Sequence, residues 1–201
     1  MQVDHVLLAG DRPLPSRTVT PWRGNLDSFA GGRHSCWGTS NRIVPLGDAY
    51  LELVSIVDAN EARSSSFGRW ALDAAMRPGL PFGWAVRPSD FDATVERLGV
   101  DVHDGSRATP SGEVIRWRMA GLDEAADRPW LPFLLDWHDL STFPGRLAPS
   151  KATLRSVSIA GDVAELADWL GVDDLPLDVT QGDQGVVSVT VDTAAGALVV
   201  G

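Results

Sequence analysis

Three times along the chain an apolar strand runs into an aspartate, and this repeat restricts the possible folds more than any other feature. Asp4-His5-Val6-Leu7-Leu8-Ala9-Gly10-Asp11 lies over Arg155-Ser156-Val157-Ser158-Ile159-Ala160-Gly161-Asp162, and Gly83-Trp84-Ala85-Val86-Arg87-Pro88-Ser89-Asp90 keeps the strand-to-Asp step. Self-similarity of this kind marks repeated supersecondary units. The pattern in each round is strand, helix, strand, strand, strand. At the far ends of the rounds, Tyr50-Leu51-Glu52-Leu53 overlays Ala197-Leu198-Val199-Val200 and Phe133-Leu134-Leu135-Asp136. The overlay puts Trp84 and Ser156 at the place of His5, and Leu135 and Val199 at the place of Glu52, so the polar pair exists only in the first round.

The local signals fill in the rounds. Pro13, Pro15 and Pro21 exclude a long helix from Asp11 to Phe29, which leaves a short helix or an extended loop. Asn41–Pro45 and Ala49–Val57 read as strands joined at a Gly47-Asp48 turn. Residues 60–76 read as one helix capped by Asn60 and ended by Pro78-Gly79. Phe82–Arg87 is a strand, Ser89 caps a helix from Asp90 to Leu98, and Val100–His103 is extended. Glu113–Ala120 alternates as a strand, with Ile115, Trp117 and Met119 opposite Val114, Arg116 and Arg118. Gly121–Arg128 reads as an acidic loop and Pro132–Trp137 as a strand, and Pro144–Lys151 is a linker. Beyond it come a strand, a helix capped by Asp162 and ended by Gly171, and three further strands.

Chemistry concentrates in Gly31–Leu53, GGRHSCWGTSNRIVPLGDAYLEL. Strand parity puts Tyr50, Glu52 and Val54 on one face. A carboxylate between Tyr and Val is costly in an apolar core, so a cation or a wet cavity should lie before Glu52. His5 is the other candidate for that space. Together they read either as ligands of a divalent ion (Zn, Fe, Ni or Mn) or as a buried pair that satisfies itself. His34 and Asp136 are the candidate third ligands, since two protein ligands hold a metal weakly. Trp37, Gly38, Thr39 and Asn41 after His34 suit a pocket wall or a turn. Arg116 and Arg118 share a strand face that either looks into a cup, where they would hold an anion, or lies in solvent. Trp84 and Trp137 belong to the core or the site.

Composition closes off several classes. The 201 residues carry a net charge of −10, against any phosphate-backbone partner. The single Cys36 excludes an internal disulfide and a cysteine-based zinc site. No leader or membrane-length apolar run is evident, so a cytoplasmic protein without membrane partners is expected. No Ser-His-Asp order, phosphate loop or nucleotide fingerprint is present.

Taken together, DHVLLA, the Gly31–Leu53 stretch, FGWAVRPSDFDATVERL and VIRWRMA followed by PFLLDW resemble the glyoxalase-like domain family. This family is a branch of the glyoxalase, bleomycin-resistance and extradiol-dioxygenase superfamily, the vicinal oxygen chelate proteins. The resemblance implies an α+β fold of βαβββ modules whose curled mixed sheets form a cup. It places modules at about 1–57 and 82–138 within a domain of residues 1–143, followed by a third βαβββ-like repeat at 152–201. In metal-using relatives a His or Gln from a module's first strand and a Glu from its last hold a divalent ion. His5 and Glu52 match those positions, and Trp84 and Leu135 do not. The implied function is a small-molecule enzyme, a lyase, isomerase or dioxygenase relative, with Glu52 as base or ligand and His5 as ligand or proton partner. The implied substrate pocket takes in His34, Trp37, Gly38, Thr39, Asn41, Trp84, Arg116, Arg118 and Asp136. The alternatives are a non-catalytic, drug-sequestering binder of the same fold and a structural domain with a vestigial site. A small-molecule ligand is the expected partner, and a homodimer is open.

Overall fold

A computed structural model describes residues 1–10, 20–22, 26–34, 36–109, 111–171 and 174–201. Among them, nine strands form one mixed sheet and four form a second. The first sheet holds β1 (Gln2–Ala9), β2 (Thr20–Trp22), β3 (Leu26–His34), β4 (Thr39–Pro45), β5 (Tyr50–Ile56), β6 (Pro81–Arg87), β7 (Val102–Ala108), β8 (Val114–Ala120) and β9 (Phe133–Trp137). Its order is β2-β3-β4-β5-β1-β6-β9-β8-β7. β3 also pairs with β7 through Arg33 with Ala108 and His34 with Arg107, so the eight strands from β3 to β7 close into a ring. The helical or loop expectation for Asp11–Phe29 lies outside the described residues for 11–19 and 23–25; the rest of that stretch is strand.

Each half of the ring repeats one pairing. β5 runs parallel beside β1 with His5 opposite Tyr50 and Leu7 opposite Glu52. β9 runs parallel beside β6 with Ala85 opposite Phe133. The two halves meet where β1 and β6 pair antiparallel. By this register Ala85, not Trp84, stands at the place of His5. The sequence overlay is therefore one residue out at this strand.

Alternation decides which side chains enter the ring. His5, Leu7 and Ala9 share the interior with Tyr50, Val54, Ile115, Trp117, Met119, Phe133, Leu135 and Trp137. Two helices add apolar groups to it: α2 (Ser66–Ala74) through Phe67, Ala71 and Ala74, and α4 (Leu122–Asp127) through Leu122 and Ala125. Residues 121–128 therefore hold a helix rather than the expected loop. Residues 60–76 are two helices, α1 (Ala59–Ala62) capped by Asp58 and α2 capped by Ser65. The break is steric, since Gly68 lies so close to the Ala62 backbone that an added Cβ would sit 2.2 Å from the Ala62 carbonyl oxygen. α3 (Phe91–Leu98) is capped by Asp90, one residue after the expected Ser89, and ends on the left-handed Gly99.

The outer face packs on the second sheet. β10 (Ala152–Gly161), α5 (Val163–Leu170), β11 (Leu177–Gln181), β12 (Gly185–Thr193) and β13 (Gly196–Val200) follow in the expected succession. The sheet order is β11-β10-β12-β13, so the parallel partner of β10 is β11 and not its last strand. Val199 therefore does not occupy the place of Glu52. Val6, Leu8, Leu51, Trp84, Val86 and Leu134 from the ring share one apolar cluster with Val157, Ile159, Val189 and Val191. Trp169 Nε1 donates to the Pro132 carbonyl across this junction, and Arg97 donates to the Asp168 and Trp169 carbonyls. Part of the expected linker is tied down as well. Phe143, just before Pro144, is fully buried in the inner cluster, and the Gly145 carbonyl accepts from Gly47 N.

Candidate active site

Glu52 lies on the inner face of β5, 5 % exposed, with both oxygens engaged. Oε1 accepts from Asn41 Nδ2 at 2.7 Å and lies 3.4 Å from His34 Nε2. Oε2 lies 3.3 Å from His5 Nε2. His5 and Glu52 thus face each other across one cavity, as their places in the first and last strands of a unit require. Behind them stands a second layer. His5 Nδ1 bonds Asp4 Oδ1 at 2.7 Å, while Asp4 Oδ2 accepts from Trp137 Nε1 at 2.9 Å and sits 3.1 Å from Arg87 Nε. His34 Nδ1 bonds Thr39 Oγ1 at 2.8 Å. Each imidazole is held at one nitrogen and turns the other toward the carboxylate.

Burial pushes the Glu52 carboxyl up. The His34 hydrogen bond, the charges of His5 and His34 and the Asn41 amide outweigh it and hold the pKa at about 2. Glu52 is accordingly ionised at neutral pH. His5 has carboxylate oxygens at both ring nitrogens; a neutral ring donates to one of them and a doubly protonated ring to both. Tyr50 stacks on His5 with ring centroids 4.6 Å apart. Burial and the nearby Asp4 and Glu52 charges raise its phenol well above the usual value, so it stays a neutral hydroxyl.

The walls are aromatic. Trp37 packs on Phe67 at 4.8 Å, and Trp117 on Trp137 at 5.4 Å. The space they leave open to the centres of water molecules is about 30 Å³, where one water needs roughly 10–15 Å³. A ligand of a few heavy atoms is the size this space takes.

The structure sorts the residues singled out from the sequence. His5, His34, Trp37, Asn41 and Glu52 line the cavity, and Thr39 is buried behind His34. Gly38 shapes a turn instead: its carbonyl accepts from Val57 N and Asp58 N, and its φ is +64°. Trp84 is fully buried on the other side of the sheet, donating to the Trp130 carbonyl. Arg116, Arg118 and Asp136 face outward, Arg118 bridging Asp136 and Asp92. Arg42 also faces outward, bonded to Ser28. The reason is packing: the ring interior is itself an apolar core, so Ile115, Trp117 and Met119 claim it, Arg116 and Arg118 take the wetter face, and Arg42 is buried outside the ring.

Reading the sequence missed Asp4, Tyr50, Phe67 and Arg107. Asp4 and Arg107 are the costly omissions. Asp4 adjoins His5 in sequence yet was given no role. Arg107 lies in HDGSRATPSGE, whose Gly, Pro and Ser residues mask the strand signal, yet this stretch contains most of β7.

A divalent ion does not fit these residues. Both Glu52 oxygens are engaged, one by an amide donor, and the buried guanidinium of Arg107 in the same cavity repels a cation. The second half of the ring offers Ala85 and Leu135 at the matching positions. Among the described residues no group of three or more His, Cys, Asp or Glu side chains is placed to hold a metal.

The comparisons bear on family and fold. No curated protein matches the chain. The crystal structure of a hypothetical protein from Staphylococcus aureus superposes with a TM-score of 0.69 at 12 % identity, covering 96 % of this chain and 91 % of that one. At that identity the likeness speaks for the fold alone, and it extends into the second sheet. Methylmalonyl-CoA epimerase from Mycobacterium tuberculosis matches at a TM-score of 0.36 and 17 % identity, covering 67 % of this chain and 85 % of that one, too slight to bear on chemistry. The family model for the glyoxalase-like domain spans residues 3–173, so the chain belongs to the glyoxalase-like domain family.

Proposed function

We propose that the protein is a small-molecule enzyme that moves a proton on a bound carbonyl compound, with Glu52 as the proton acceptor. The observation that carries the reading is an ionised carboxylate buried in an aromatic-walled cavity between two imidazoles. In the step, a C–H bond next to the carbonyl breaks, its proton passes to Glu52, and the electron pair moves onto the carbonyl oxygen. His5 or His34 returns a proton at the other position. A carboxylate held at about 2 is a poor base in the empty cavity. A ligand that draws Asn41 and His34 onto its own oxygens leaves burial as the dominant influence and makes Glu52 more basic. Asp4, fixed by Trp137, keeps His5 aimed at Glu52, a positioning role.

Proton exchange into D2O, followed by NMR over a panel of small 2-oxo acids, aldehydes and ketones, tests this. The expected outcome is catalysed exchange that falls at least about a hundredfold in Glu52→Gln. Unchanged exchange in that variant would sink the assignment. The aromatic wall of Trp37, Phe67, Trp117 and Trp137 supports a second reading, a sequestering binder. Tight binding of planar neutral compounds with no exchange in the whole panel selects it.

A further inference from the structure

We infer that Arg107 makes the cavity an anion site, one that takes a small carboxylate or an equivalent oxyanion. The inference rests on the catalytic reading only for the identity of the atoms that react beside it. Arg107 is 2 % exposed and lines the cavity. It is placed there by ring closure, since it stands directly opposite His34 where β3 meets β7. Opposite residues of an antiparallel pair project to the same face, so His34 and Arg107 enter together. Nη1 donates to the Gly31 carbonyl, which fixes the head group. Nη2 is buried and has no hydrogen-bond partner among the described residues.

An unanswered donor on a buried guanidinium is expensive. Glu52, the nearby carboxylate, does not answer it. Among the described residues no ion pair joins the two, and both Glu52 oxygens are taken by Asn41, His34 and His5. The shortfall is therefore met by something that enters. The unpartnered Nη2, in a space for a few heavy atoms, selects an oxyanion oxygen on a small molecule. Phosphate esters of any bulk are excluded by size, and cations by charge.

The geometry also orders the ligand. With its charged end at Arg107, beside the seam, the neighbouring carbon is turned toward the Glu52–His5–His34 group. That makes small 2-oxo and 2-hydroxy acids the substrate class, ahead of neutral ketones or aldehydes.

Calorimetric titration with pyruvate and with pyruvamide, its uncharged near-isostere, tests the assignment on the full chain. Pyruvate should bind at least tenfold more tightly than pyruvamide. Arg107→Gln should remove that preference, weakening pyruvate by about 10- to 100-fold and leaving pyruvamide unchanged. Glu52→Gln, which removes the neighbouring negative charge, should tighten pyruvate. Equal affinities for the two compounds in the unaltered protein overturn the proposal, and this comparison stands even where Arg107→Gln fails to fold. The catalytic reading fails separately. Preferential pyruvate binding without proton exchange removes the enzyme and keeps the anion site, while equally fast exchange on neutral ketones and on acids does the reverse.

Discussion

At the scale of single residues, Glu52 does two things, and its titration separates them. Its carboxyl is held below its unfolded value, from 4.5 down to about 2, by donors that exist only in the folded chain. The folded state therefore binds fewer protons than the unfolded state between those values. The sign follows: this stabilisation is complete above about pH 4.5 and is lost as pH falls toward 2, an amount of roughly 3 kcal/mol. Urea unfolding at pH 5, 3.5 and 2.5 should show the slope in the unaltered protein. The slope should be shallower in Glu52→Gln, which cannot titrate. Identical slopes would show that the acid-sensitive group lies elsewhere. The pairing of His5 with Glu52 was legible from their places in the first and last strands of one unit, with parity fixing the face of each strand. His34 and Asn41 were legible as pocket candidates, but their contacts with Glu52 and the presence of Arg107 were not, since the three arrive from three other strands and only the closed ring states what meets.

Among elements, the strands and their faces were the most readable feature and the inside of the ring the least. Alternation in VIRWRMA correctly separates Ile115, Trp117 and Met119 from the arginines. It cannot say which set goes inward, because an apolar face seeks any core, and here the cavity wall and the core are one layer. Helix boundaries failed where a contact outside the helix set them, as Gly68 against Ala62 breaks a pattern that otherwise reads as continuous. β7 was hidden for a related reason. Its Gly105 looks like a turn residue, yet it is a strand position facing the Trp117 indole, where an added Cβ would lie 2.2 Å from Nε1. Gly105→Ala should therefore overpack the ring. The expected cost is about 1–3 kcal/mol, seen as a fall of at least several degrees in Tm with altered tryptophan fluorescence. An unchanged melting curve would mean that the indole has room to swing aside.

For the whole molecule, the second sheet acts as a cover for the ring. Trp84, Val86, Leu134, Val6 and Leu8 are at most 1 % exposed because β10 and β12 lie against their side of the sheet. Removing residues 152–201 should uncover a broad apolar face and give an aggregating product. A monomeric truncation with unaltered melting would refute the cover role, and ultracentrifugation distinguishes the two. Among the described residues the ring is joined at β3 and β7 by two residue pairs, and one of them is His34 with Arg107. Those partners are separated by 73 positions in the chain (107 − 34), so the seam is one of the long-range contacts whose loop-closure entropy must be met in folding. Assembly of the reactive group and completion of the fold are in this sense one event. A partly folded chain holds His5 near Glu52 but lacks the cation across the seam. On the reading proposed above, preference for an anion would be gained only when the ring closes.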